Sequence, residues 1–109
     1  MAEDSLEIVI AADAEEVLGR ILVALVRDSA GEPLADCKVD LTIEGDGTFH
    51  APRHVTQVEL VSNQNGEIYE IWYEYPRYEP RRALRSTVRA RCDAPGSHIS
   101  IADLFARRL

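Results

Sequence analysis

At 109 residues, with 46% apolar and 28% charged residues and a net charge of −7, the chain has the size and composition of one domain. That length supports a core without disulfides, and no apolar run reaches the length of a membrane span. An acidic total is repelled by phosphate, so neither nucleic acid nor membrane insertion is expected. The charge is uneven: sixteen carboxylates and four basic residues precede position 77, and three carboxylates and eight arginines follow. The expectation is that the two halves pair inside one domain. The start, Met-Ala-Glu-Asp-Ser, lacks the basic and apolar segments of a secretory signal. A complete chain would be cytoplasmic; a domain excised from an exported multidomain protein would be extracellular.

In chain order, Ser5–Ala11 reads as a first strand, with Leu6, Ile8 and Ile10 toward the core and Glu7 and Val9 outward. Residues 13–16 are an acidic loop or a single turn. In residues 17–28, Ile21 to Val26 run without a polar break, which fits a helix or a strand. The turn residues Asp28-Ser29-Ala30-Gly31-Glu32-Pro33 decide for a strand, with Leu22, Ala24 and Val26 inward. Residues 37–44 alternate strictly: Cys37, Val39, Leu41 and Ile43 on one face, Lys38, Asp40, Thr42 and Glu44 on the other. Gly45-Asp46-Gly47 ends this third strand, and a loop with Pro52 follows.

Residues 55–61 form the fourth strand, with Val58 and Leu60 inward, and Asn65-Gly66 closes a tight turn. In the fifth, residues 67–75, one face carries Tyr69, Ile71, Tyr73 and Tyr75 and the other Ile68, Glu70, Trp72 and Glu74. Burying two unpaired glutamates is costly, which predicts Tyr69 inward and Trp72 outward. After the loop PRYEPRR, residues 84–92 form the sixth strand, with Leu84, Val88, Ala90 and Cys92 inward. Residues 97–104 form the seventh, with Ile99 and Ile101 inward, and 105–109 a tail. Seven short strands and no long helix predict an all-β, seven-stranded antiparallel β-sandwich spanning about residues 5–104.

The stretch V-R-D-x-x-G-x-P-L-x-D-x-x-V-x-L-x-I-x-G-x-G-x-F at residues 26–49 resembles bacterial Ig-like domains of the invasin/intimin type, as does VSNQNGEI at 61–68. The first half is also similar to transthyretin-like and carboxypeptidase-regulatory-like sandwiches; the Gly45-Asp46-Gly47 turn favours the invasin type. The resemblance implies an Ig-like sandwich in which strands one, two, four and five share a sheet and strands three and six are antiparallel neighbours. Opposing Cys37 to Cys92 then sets Asp40 against Arg89, Glu44 against Arg85 and Thr42 against Thr87, with only Lys38 against Arg91 unfavourable.

On that sheet the outward set contains Val9, Val23, Leu25, Val61 and Trp72, where a solvated sheet would be polar. An apolar outer face is the mark of a partner site, so the expectation is a non-enzymatic module that docks onto a protein partner or onto itself. The alternative reading is a carbohydrate- or surface-binding adhesin-type module. It rests on the aromatic and arginine residues of 69–82, with Trp72, Tyr75, Tyr78 and Arg81 as ligand candidates.

No catalytic residue, cofactor or metal is expected. His50 and His54 have a metal-like spacing, but Pro52 between them breaks the helix that spacing needs. There is no phosphate loop opening a helix and no serine in an elbow. Cys37 and Cys92 both take the apolar parity and read as core thiols, with a disulfide open if the compartment oxidises them.

Overall fold

The computed structural model of the chain describes residues 2–10, 20–49, 55–74 and 84–105. Among the described residues eight strands run in the order β1 (Ala2–Ile10), β2 (Arg20–Arg27), β3 (Lys38–Gly45), β4 (Gly47–Thr48), β5 (Gln57–Val61), β6 (Glu67–Glu74), β7 (Leu84–Cys92) and β8 (His98–Phe105). All paired strands are antiparallel. There is no helix among the described residues. The strands form two sheets, β1-β7-β3-β5 and β4-β6-β2-β8, with one apolar cluster between them.

That cluster follows the alternation read from the sequence. Leu22, Ala24 and Val26 of β2 and Ile68 of β6 meet Ile8 of β1, Val39, Leu41 and Ile43 of β3, and Val88, Ala90 and Cys92 of β7. Each large apolar side chain so buried contributes about 1.5–3 kcal/mol. Leu6, Val58, Leu60, Ile99 and Ile101 pack against the cluster, half-buried. Two side-chain-capped turns connect the pieces. Asp28 Oδ1 accepts from the Ala30 and Glu32 amides at 2.9 and 3.0 Å. Asn63 Oδ1 accepts from Asn65 and Glu67 at 2.9 and 3.0 Å. Asp and Asn suit turns because their side chains satisfy the backbone two residues on.

The extra strand, β4, comes from the Gly45-Asp46-Gly47 corner. The chain does not merely stop there; it leaves one sheet and pairs with β6 in the other. Arg85 and Asp46 hold the corner reciprocally, with Asp46 N donating to Arg85 O at 3.0 Å and Arg85 N to Asp46 Oδ2 at 2.9 Å. Gly47 N donates to the hydroxyl of buried Ser86 at 2.9 Å.

The sheet composition expected from the Ig-like resemblance is corrected. The second and fifth sequence strands do pair (β2 with β6), and so do the third and sixth (β3 with β7). The first and fourth sequence strands do not join the second and fifth: β1 pairs with β7 and β5 with β3, while the last strand, β8, pairs with β2. Charge explains the first placement, because β1 carries Glu3 opposite Arg91 and Glu7 beside Arg85, with Arg85 Nη1 to Glu7 Oε1 at 3.1 Å. On this flank β1 and β8 meet across the two sheets, and Asp4 Oδ2 accepts from the Ile101 amide of β8 at 2.9 Å.

The β3–β7 register is displaced by two residues from the expected one. Val39, not Cys37, lies opposite Cys92, so Asp40 faces Arg91 and Thr42 faces Arg89. Arg89 instead reaches Glu44 diagonally, at 3.9 Å. A β-bulge lies where β3 begins, on its β5 side. Asp36 N donates to Ser62 O at 3.0 Å, while Cys37 N donates to Ser62 Oγ at 2.9 Å, so two residues oppose one. Asp36 takes the left-handed conformation, φ 57°, that such a bulge requires. A two-residue shift preserves parity, and the buried face is unchanged.

Candidate functional site

The two outer faces differ in kind. That of β1-β7-β3-β5 is a lattice of charges and hydroxyls. Arg89 and Arg91 lie between Ser5 and Glu3 on one side and Thr42 and Asp40 on the other. The other sheet is apolar along its centre. Ile21, Val23 and Leu25 of β2 point away from the core, half-buried, while Leu22, Ala24 and Val26 point in. Val23 lies opposite Tyr69 of β6 and Ala102 of β8; Leu25 lies opposite Glu67 and Ser100. Directly opposed side chains share a face, so Val23, Tyr69 and Ala102 form one band.

Tyr69 is the large exposed member, at 53%. Its hydroxyl donates to Glu67 Oε2 at 2.8 Å. That bond, with a second from the Asn63 side chain, holds the Glu67 carboxyl below its ordinary range. The same bond raises the Tyr69 hydroxyl above its own. An aromatic ring fixed by its polar tip loses little freedom when a partner covers it.

The sequence-predicted face is therefore only partly assembled. Val23 and Leu25 lie together, on the outer side of the β2 sheet. Val9 and Val61, 44% and 55% exposed, lie on the other sheet, on its two opposite edge strands. There Val9 is opposite Arg85 and Val61 opposite Lys38, each set singly among charges. Trp72 lies opposite Arg20 in the β2–β6 ladder, and its side chain is outside the described residues. The expected β6 parity is reversed where it is described: Ile68 is buried and Tyr69 exposed. The cost assigned to burying Glu70 does not arise, because Glu70 is half-buried and has a partner. Tyr69 was thus assigned to the wrong face. The signal for it was the cross-strand match of Ile68 with Ala24, two core residues in register. Tyr75, Tyr78 and Arg81 lie outside the described residues, as do His50 and His54.

Among the described residues no group of three or more His, Cys, Asp or Glu could hold a metal, and no helix is long and apolar enough to cross a membrane. An open depression of about 380 Å³ lies at the β3–β5–β7 end of the charged face. Asp36, Asp40, Glu59 and Asp93 line it together with Lys38 and Arg91, and Cys37 forms part of its wall. The Cys37 thiol is pushed up from 9.0 to about 11, by burial first and then by the neighbouring Cys92 thiol. A raised acid stabilises the fold while protonated, so that contribution is whole below pH 9.0 and fades as pH rises toward about 11. Urea midpoints should fall over this window more steeply for the native chain than for Cys37→Ala; parallel curves would mean the thiol is not the titrating group.

No protein-family model matches the chain, and no match is found among curated proteins or solved structures.

Proposed function

We propose that this chain is a non-enzymatic β-sandwich module of Ig-like type that docks onto a protein surface, a second copy or a partner, through the outer face of β2, β6 and β8. The observation that carries the reading is the contrast between the two outer faces. One sheet carries mainly charges and hydroxyls, with Val9 and Val61 set singly on its edge strands. The other presents Ile21, Val23 and Leu25 beside an exposed, anchored Tyr69. Outward positions of a solvated antiparallel sheet are ordinarily polar, and tyrosine is among the residues that carry interface energy. The β2–β6 and β3–β7 pairings support the Ig-like assignment. The turn motifs at 26–49 and 61–68 support the invasin/intimin type within it.

Sedimentation equilibrium over a concentration series tests this. The native chain should self-associate reversibly. Tyr69→Lys should weaken association at least about tenfold, or 1.4 kcal/mol, with little change in the thermal midpoint. Val61→Lys, on the charged face, should leave association intact. A chain that stays monomeric, and whose tryptophan emission responds to oligosaccharides, would instead favour the carbohydrate-binding alternative.

A further inference from the structure

We propose that Cys37 and Cys92 are a covalent modification site: the pair closes an intramolecular disulfide by exchange with a low-molecular-weight disulfide, and Cys37 reacts first. The two sulfurs touch. Cys37 Sγ and Cys92 Sγ are 2.8 Å apart in a buried contact, with both thiols free. An S–S bond is about 2.05 Å long, and closing one requires that the backbones already be in position. Here they are held. Cys37 N donates to Ser62 Oγ at 2.9 Å and Ser62 N to Cys37 O at 3.0 Å. Cys92 sits in the β7 ladder opposite Val39. Because Val39 is the residue opposite Cys92, Cys37 lies diagonal to it, and its sulfur still reaches.

Access sets the order. Cys92 is wholly buried, whereas Cys37 keeps 8% exposure and lines the open depression on the charged face. The Cys37 thiolate attacks one sulfur of the small disulfide RSSR, forming a mixed disulfide and releasing one RS⁻, which takes up a proton as RSH. The Cys92 thiolate then attacks the Cys37 sulfur, forming the internal bond and releasing the second RSH. Two electrons pass from the protein thiols to RSSR, and the two thiol protons end on the released RSH molecules. Burial keeps Cys37 protonated at neutral pH, so the exchange is slow rather than absent, because only the thiolate attacks.

The bond would join chain positions 55 residues apart, a loop long enough to raise the thermal midpoint by on the order of 10 °C. The test uses the native, reduced full chain with oxidised glutathione, followed by intact mass and thiol titration. The expected product is a monomer that has lost two hydrogens and both thiols, carries no glutathione, and melts higher. Cys92→Ala should stop at a single glutathione adduct on Cys37, located by peptide mapping. Native chain that keeps both thiols while the urea-unfolded chain reacts would overturn the proposal. So would a stable glutathione adduct on the native chain, or disulfide-linked dimers. Because the decisive arms use the unsubstituted chain, poor folding of a variant does not remove the test.

Discussion

Gly45→Ala is expected to lower the thermal midpoint by roughly 12–24 °C, corresponding to about 3 kcal/mol in a domain of this size. Two effects add. Gly45 has φ +106°, where a side chain is strained whatever the space, at about 1–3 kcal/mol. A Cβ there would also lie 2.2 Å from Arg85 O and 3.1 Å from Ser86 Cα. Those are backbone atoms, and Arg85 O is already held by Asp46 N, so neither can swing aside. Overpacking of this kind costs about 1–3 kcal/mol. The natural control is Gly31→Ala. Gly31 has φ +84° but nothing within 4 Å of its missing Cβ, so strain alone remains, about 1–2 kcal/mol. Equal melting shifts for the two variants would mean that the close passage of β3 over Arg85 does not fix the corner.

Ser62→Ala should cost about 2–4 kcal/mol. The Ser62 side chain is buried, accepts from Cys37 N at 2.9 Å and donates to Leu34 O at 2.7 Å. Removing the hydroxyl leaves a donor and an acceptor without partners, each at about 1–3 kcal/mol. Ser62→Thr keeps both bonds and should recover much of the loss, unless its extra methyl is excluded. If denaturant unfolding shows Ser62→Ala within 0.5 kcal/mol of the native chain, about the range of an ordinary surface change, then the bulge is not held by this hydroxyl.

The core was legible because β2, β3 and β7 alternate cleanly. Leu22, Ala24 and Val26, and Val39, Leu41 and Ile43, are all buried as their parity requires. The neighbourhood of β3 and β7 was expected from the Ig-like resemblance, and the two strands do pair. Register was not legible. Alternation is blind to a shift of two, because both registers bury the same face. The places of β1 and β8 were hidden for a related reason: Leu6 and Ile8 say that a strand is half-buried, not which strand lies beside it. The outward direction of Val23 and Leu25 was legible from their strand alone. Tyr69 was misplaced because Glu70 was treated as fully sealed, when the sheet leaves it half-buried.

The bond from Asp4 to the Ile101 amide reaches beyond the stability of one chain. Ile101 lies opposite Ala24, and its amide is turned away from β2 toward β1, where Asp4 occupies it. A sheet grows by adding strands at free amides and carbonyls, and natural sheets guard such edges with inward-placed charges. On the β1–β8 flank that growth is stopped from within the molecule. Among the described residues no strand pairs with the outer edge of β5. A single carboxylate near the start of the chain thus occupies an amide that an incoming strand would otherwise take.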